Sequence, residues 1–232
     1  MSENKTIKPK TINPETKHLI LCEGRDEQQF FIGFLDYFKN KSDSDYDKYN
    51  EIQIEDIGGN SDFFDQLGVW KMVSGFENLK TVGIIRDAEK NSAGALQSIQ
   101  RCFLRNGMPQ PTDCFEFAKS KNGGASTVFG ILPGTKNGNE WDNGTLEDLC
   151  LKILNDSQSS KKINFISEYL KQSQENFQNK IRHMHKAKLH TYFSSNEPLI
   201  GLKIGEATKK NAFNLESDVL VNFKKMFDNM VK

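Results

Sequence analysis

Short apolar runs recur along the first half of the chain. His18–Cys22 is an apolar run that stops at Glu23-Gly24. Glu51–Ile57 alternates apolar and polar residues, and Thr81–Ile85 is again apolar. Runs of this length, bounded by glycine or charged residues, predict strands, of which the first is buried and the second half-buried.

The segments between these runs are amphipathic. Apolar residues recur there at helical spacing: Phe30, Phe31, Phe34, Leu35 and Phe38 after the first run, Leu67 and Trp70 after the second, Leu96, Ile99 and Phe103 after the third. Strands that alternate with helices of this length form βαβ units. We therefore predict an α/β fold with three layers, in which helices cover both faces of a mainly parallel, Rossmann-like sheet.

The pattern changes in the second half of the chain. Asp113–Ala118 and Thr127–Leu132 predict two further strands around a Gly-Gly turn, and a Gly/Asn-rich loop follows Pro133. Beyond it only helical spacing recurs: in a helix that starts at Thr145 with an apolar stripe up to Ile153, and over about 161–190 and 215–230. We thus expect a mobile tail over residues 1–16, an α/β domain over 17–135, and a helical C-terminal region over 136–232 packed on it.

Charge is distributed unevenly although the net charge is zero. Residues 1–150 hold 17 Lys and Arg against 23 Asp and Glu, whereas residues 151–232 hold 14 against 8. An acidic front half and a basic back half suit a carboxylate metal site beside a surface for polyanions. An ordinary lysine-rich helical surface explains the basic half equally well.

Composition excludes several classes of protein. No run of roughly 18 apolar residues is present, so no membrane span and no membrane partner are expected. The N-terminal residues lack the apolar core of a signal peptide. The four cysteines are widely separated, which favours buried free thiols in a reducing cytoplasm over a structural zinc site. There is also no P-loop motif and no G-x-G-x-x-G after a strand.

Acidic residues follow three of the predicted structural breaks. Glu23 follows the first strand, Asp87 and Glu89 follow the third, and Glu147 begins a helix. If the first and third strands are neighbours, their carboxyl ends bring Glu23, Asp87 and Glu89 together in the crevice where open α/β sheets bind ligands. Carboxylates that close repel one another unless a proton or a cation is present. Mg²⁺ or Mn²⁺ is therefore the expected cofactor, as a hard ion that takes oxygen ligands.

Two of these motifs resemble those of TOPRIM domains, which occur in topoisomerases, bacterial primases and OLD-family nucleases. Leu21-Cys22-Glu23-Gly24 is similar to their strand-Glu-Gly signature, and Asp87-Ala88-Glu89 to their Asp-x-Asp motif, with Glu in place of the second Asp. The resemblance implies that Glu23, Asp87 and Glu89 bind metal. It also implies that Glu147 is the additional acidic site of OLD-type enzymes.

The wider sequence is similar to a small bacterial family of unknown function related to TOPRIM domains, the DUF3226 type. The likeness is carried by Gly58-Gly59, Ile85–Ile99, Gly144–Leu151 and Lys186–Tyr192. Its OLD-type and anti-phage relatives imply a metal-dependent nuclease that acts on DNA or RNA, often beside an ATPase partner. By this resemblance Glu23 and Asp87 would be catalytic.

The basic segment Lys180–His190 predicts a helix that faces phosphate, with Lys186 as the group that stabilises charge on the phosphorus centre. A His-x-His zinc site and a solvated helix face are the alternatives for this segment. Thr145 and Asp148 also fit a capping box, so Asp148 is assigned to capping and Glu147 alone is kept as a metal ligand. Asp26 suits either a helix N-cap or a carboxylate behind the metal ligands.

Three functions are consistent with these residues. The first is a Mg²⁺- or Mn²⁺-dependent nuclease that uses Glu23, Asp87 and Lys186. The second is a non-catalytic module that binds nucleic acid or an ATPase partner, with a role in phage defence. The third is a receiver-like phospho-acceptor domain, which the Asp-x-Glu spacing and the basic C-terminal third disfavour.

Overall fold

A four-stranded parallel sheet forms the centre of the protein. The structure is a computed structural model that describes residues 10–41, 44–58, 63–178 and 180–232. The strands lie in the order β2-β1-β3-β4, and their bounds are β1 His18–Cys22, β2 Ile52–Asp56, β3 Thr81–Asp87 and β4 Ser126–Leu132. Because β1 is followed by β2 on one side and β3 by β4 on the other, strand order reverses between β1 and β3.

Helices cover both faces of this sheet. Those that connect the strands are α1 Arg25–Lys39, α2 Phe63–Lys71 and α3 Ser92–Arg105. Leu19 and Leu21 of β1 pack with α2 and α3 in one core. Ile20 and Cys22 point to the other face and pack with α1 and the C-terminal helices. This alternation along one strand confirms the predicted three-layer α/β fold.

The C-terminal helices form a wall of the same core. They are α4 Leu146–Asn155, α5 Ser160–Phe177, α6 Met184–Ser194, α7 Ile204–Lys209 and α8 Val221–Met230. Aromatic rings join α8 to α1: the centroids of Phe31 and Phe223 are 4.9 Å apart, and those of Phe34 and Phe227 are 5.9 Å apart. Residues after 136 therefore complete the layer that buries one face of the sheet.

Two predicted elements are wrong. Asp113–Ala118 is not a strand, because Phe115 has a left-handed φ of 64° and only a single bridge joins Ala118 to Thr127. The helix predicted over 161–190 is divided into α5 and α6, with Gln178 at a φ of 53° after the end of α5. The Gly/Asn-rich loop also contains a hairpin, β5 Lys136–Asn137 and β6 Glu140–Trp141.

The segment expected to be a tail is described only from residue 10 onward. Thr16 Oγ1 and the Asn13 backbone N–H both donate to Gln53 Oε1, at 3.0 and 2.9 Å. Residues 1–9 lie outside the described residues, as does Gly59. The four cysteines are buried, and none of them forms a disulfide bond. Within the described ranges, no helix has both the length and the apolar surface needed to cross a bilayer.

Candidate functional site

Glu23 and Asp87 lie at the same end of two adjacent strands. Glu23 follows β1, and Asp87 is the last residue of β3. The two strands run in parallel with Cys22 beside Ile85, and the Glu23 backbone N–H donates to the Ile85 carbonyl at 3.2 Å. This is the point where strand order reverses, which is where open α/β sheets bind their ligands.

Glu89 and Glu147 reach this end of the sheet through a short backbone bridge. Glu89 has a left-handed φ of 52°, and its N–H donates to the Gly144 carbonyl at 2.8 Å. The bridge brings the start of α4 against β3, where the Leu146 N–H donates to Asp87 Oδ1 at 3.0 Å. Glu147 is therefore held in the first turn of α4 beside Asp87.

Glu27 belongs to the same group and was not predicted. It lies in the first turn of α1, four residues after Glu23, and is the neighbouring carboxylate with the largest effect on Asp87. Only its place in the first turn of the helix after β1 pointed to it, because Glu23 precedes the N-cap Gly24 and lies outside that helix. We call Glu23, Glu27, Asp87, Glu89 and Glu147 the acidic edge. Asp26 is exposed and the N-cap of α1 is Gly24, so the N-cap alternative for Asp26 is wrong.

The acidic edge holds more negative charge than it can stabilise unaided. Burial and the nearby carboxylates, with Glu27 and Glu23 foremost, raise the pKa of Asp87 to about 8. Burial, with smaller effects of Asp26 and Glu147, also raises the pKa of Glu27. Neighbouring carboxylates repel one another, so a proton or a cation nearby favours their coexistence.

Two cations of the chain itself neutralise part of this charge. Arg86 Nε lies 3.5 Å from Glu23 Oε2, and Lys186 Nζ from α6 lies 3.3 Å from Glu147 Oε1. The Glu147 carboxylate raises the pKa of Lys186. Burial opposes ionisation of Glu147, yet bonds from the Thr145 hydroxyl, its own backbone and Lys186 lower its pKa overall. The structure thus brings Lys186 to the acidic edge, and Arg86 is a second residue that sequence reasoning missed.

The remaining predictions concern neighbouring residues. Asp148 Oδ2 accepts from the Thr145 N–H at 2.9 Å, which confirms its assignment to the capping box. The rings of His183 and His185 have centroids 6.0 Å apart. Across the described parts of the chain, no three His, Cys, Asp or Glu side chains are grouped as a ready metal site.

The donor atoms at the acidic edge nevertheless suit a hard divalent ion. All are carboxylate oxygens, the ligands that Mg²⁺ and Mn²⁺ prefer. Glu23 Oε2 is buried with no hydrogen-bond partner among the described residues, and so is the facing Arg86 Nε. A bound cation would give Glu23 Oε2 a direct ligand bond in place of its long ion pair with Arg86. Metal binding would require Glu23 and Glu147 to exchange Arg86 and Lys186 for the ion.

A comparison with protein families matches nearly the whole chain. The model described as "Protein of unknown function (DUF3226)" matches residues 17–232. No curated protein and no solved structure matches the chain. The matched range contains every strand of the sheet and every residue of the acidic edge. The chain therefore belongs to the DUF3226 family.

Proposed function

We propose that this protein hydrolyses phosphodiester bonds of DNA or RNA with Mg²⁺ or Mn²⁺ bound at the acidic edge. One observation carries the proposal: half-buried Asp87, with a pKa raised to about 8, lies among further carboxylates at the switch point of a parallel sheet. Carboxylates that repel one another lower the stability of the fold. Their presence together is explained if they serve to bind a cation.

The resemblance to TOPRIM domains supports the same activity. Their metal-binding motifs follow two strands, and here Glu23 follows β1 while Asp87 and Glu89 end or follow β3. The neighbouring positions of β1 and β3 are the arrangement that this pattern requires. We therefore propose a TOPRIM-related catalytic site, with an ATPase as a candidate partner protein.

The predicted metal ligands and Lys186 have separate proposed roles. Glu23, Asp87, Glu89 and Glu147 would hold the metal, which when bound supplies charge neutralisation and an activated water. Asp87 also positions the start of α4 through Leu146, and so fixes Glu147. Lys186 is half-exposed beside Glu147, where its ammonium can contact a phosphate oxygen as negative charge develops.

Lys186 gives the basic C-terminal half of the chain a direct part in the site. It lies on α6, whereas Glu23, Asp87 and Glu89 all come from the acidic half. We propose that nucleic acid binds across this junction, with its backbone toward α6. The four buried free thiols support a reducing compartment, and we place the protein in the cytoplasm.

A non-catalytic binding module is the second candidate. The ion pairs Arg86–Glu23 and Lys186–Glu147 neutralise part of the acidic edge without any metal, and they favour this alternative. Such a module would bind nucleic acid or an ATPase partner through the same surface. It predicts binding that is insensitive to divalent ions and no cleavage.

Incubation with labelled nucleic acids separates the two candidates. Purified protein is mixed with single- and double-stranded DNA and RNA in Mn²⁺, Mg²⁺ or EDTA. We expect cleavage of at least one substrate with Mn²⁺ or Mg²⁺ and none in EDTA. Asp87→Asn and Glu23→Gln should lose it, because each removes a charged metal ligand.

Glu216→Gln is the matched control, because Glu216 is also paired with a lysine, Lys41, but belongs to the surface of the C-terminal region. It should retain full activity. Cleavage that Asp87→Asn leaves unchanged would show that another site, or a contaminant, is responsible. No cleavage of any of the four substrates would favour the non-catalytic module.

A further inference from the structure

A cleft of about 450 Å³ opens beside the acidic edge. One wall is the start of α3 with the residues before it, 90–93, and the other is the hairpin β5–β6 with the residues after it. The two walls meet at the bridge between Glu89 and Gly144, so the cleft is continuous with the chain segment that carries Glu89. Its volume lies in the range of small-molecule sites, roughly 300–1,000 Å³.

The walls of the cleft are tied together by hydrogen bonds. Asn143 Oδ1 accepts from the Ser92 N–H at 2.8 Å, and the Ser92 hydroxyl donates to the Trp141 carbonyl at 2.8 Å. The indole Nε1 of Trp141 donates to Asp113 Oδ1 at 2.6 Å. Trp141 is thereby held in place by bonds from both its backbone and its side chain, which favours a cleft formed before any ligand binds.

The lining of the cleft suits an uncharged, flat, polar ligand. Trp141 and Leu96 supply apolar surface, while Asn139 and Asn143 supply amide groups. Aromatic side chains stack on nucleobases of any sequence, and amides hydrogen-bond to base edges.

Four charged residues surround the cleft and balance one another: Asp113 and Glu140 are acidic, and Lys90 and Lys136 are basic, with Lys136 Nζ 3.2 Å from Asp113 Oδ2. Lys136 Nζ also lies 4.2 Å from the centroid of the Trp141 ring, so a base that stacks on this face displaces it. The cleft therefore has no net positive charge to attract a phosphodiester, and its aromatic and amide groups favour a base.

We infer that this cleft binds one unpaired nucleobase of a single-stranded nucleic acid, adjacent to the phosphodiester at the acidic edge. The identity of the polymer rests on the proposed function. A base inside a duplex is stacked and paired, and it must be extruded to enter a pocket of this kind. The cleft thus selects single strands, or bases that are flipped out, over intact duplex.

Tryptophan fluorescence provides a direct test. The chain has two tryptophans, and Trp70 is buried at 2% exposure in the core beside α2. Trp70→Phe therefore leaves Trp141 as the reporter. In EDTA, a 12-residue oligothymidine should quench its emission saturably, whereas the same sequence annealed to its complement should not.

Binding of the labelled oligothymidine in EDTA is measured in parallel. Trp141→Ala should weaken it by about tenfold or more relative to Trp70→Phe, as expected when one stacked base is lost. Trp141→Phe, which keeps an aromatic surface, should retain most of the affinity. The absence of quenching by the single strand, equal quenching by duplex, or unchanged affinity in Trp141→Ala would each overturn the inference.

The outcome is independent of catalysis. Because EDTA removes divalent ions, quenching does not require a functional metal site. Quenching without cleavage in the incubation experiment would support the cleft and refute only the proposed hydrolysis. Cleavage without quenching would leave the hydrolysis standing and refute the base site.

Discussion

Two requirements conflict at Asp87. Its Oδ1 accepts the hydrogen bond from Leu146 that anchors α4, yet its charge is opposed by burial and by Glu27 and Glu23. Asparagine can accept the same hydrogen bond with its carbonyl oxygen. It carries no charge, so burial and the neighbouring carboxylates no longer destabilise it. A substitution at Asp87 therefore separates positioning from charge.

We expect Asp87→Asn to raise the free energy of unfolding in EDTA by about 1 kcal/mol or more, since one pKa unit corresponds to 1.36 kcal/mol. Mn²⁺ should stabilise the wild-type protein, by about 2.7 kcal/mol at 100 times its Kd, and should not stabilise the variant. Urea denaturation with and without Mn²⁺ measures both effects. Glu216→Gln should respond to Mn²⁺ like the wild type. Equal responses in wild type and Asp87→Asn would mean that this site does not bind the ion.

His18 makes a second prediction at the scale of one residue. It is buried at the start of β1 with 2% exposure, and burial lowers its pKa from 6.5 to about 4. Below pH 6.5 His18 is protonated in the unfolded chain but stays neutral in the folded chain. The free energy of unfolding therefore has its full value above pH 6.5 and decreases as the pH falls toward 4. The loss attributable to His18 should reach about 3 kcal/mol.

His18→Phe isolates this contribution because it cannot titrate. We expect the difference in unfolding free energy between His18→Phe and the wild type to be constant above pH 7 and to grow in favour of the variant from pH 6.5 to pH 4. Urea denaturation across this pH range measures it. A difference that does not change with pH would show that His18 is protonated equally in both states.

At the scale of elements, sequence patterns predicted the strands of the sheet and failed where packing is irregular. β1 and β3 are central strands that are buried on both faces of the sheet. A strand in that position has to be apolar along its whole length, so the sequence pattern identifies it. Cys114 lies in one core and Phe115 touches both, so the apolar character of 113–118 reflects two separate contacts and not an extended strand. The helix ends after α5 at Gln178, which has a left-handed φ. A glycine would have signalled this break in the sequence, but the position holds glutamine.

The candidate site was predictable to the extent that it follows strand ends. Glu23 and Asp87 could be found because parallel strands bring their carboxyl ends to one side of the sheet. Glu27 could be assigned to the site only if it was known which face of α1 is turned toward the end of β1. The contact of Lys186 with Glu147 depends on how α6 packs against α4, and no local pattern in the sequence contains that information.

At the scale of the whole molecule, the uneven distribution of charge along the chain corresponds to the positions of the residues in the candidate site. The acidic half holds 23 of the 31 acidic residues, including all five members of the acidic edge, and the basic half supplies Lys186 to it. In the proposed function, phosphate oxygens approach the edge from the side of α6, where Lys186 lies. The C-terminal helices would then combine two roles, since they also bury one face of the sheet.

This division predicts how salt and charge affect nucleic-acid binding. Lys186→Gln and Arg182→Gln should weaken binding of every sequence alike in EDTA. Each lost phosphate contact should reduce the slope of log K against log salt concentration by roughly 0.7 to 0.9. Glutamine is preferred at Lys186 because its amide can still donate to Glu147, which would otherwise lose a partner. Lys48→Gln, exposed in the acidic half, is the control and should keep the wild-type slope. Wild-type affinity in the Arg182/Lys186 double variant would place the phosphate-binding surface elsewhere.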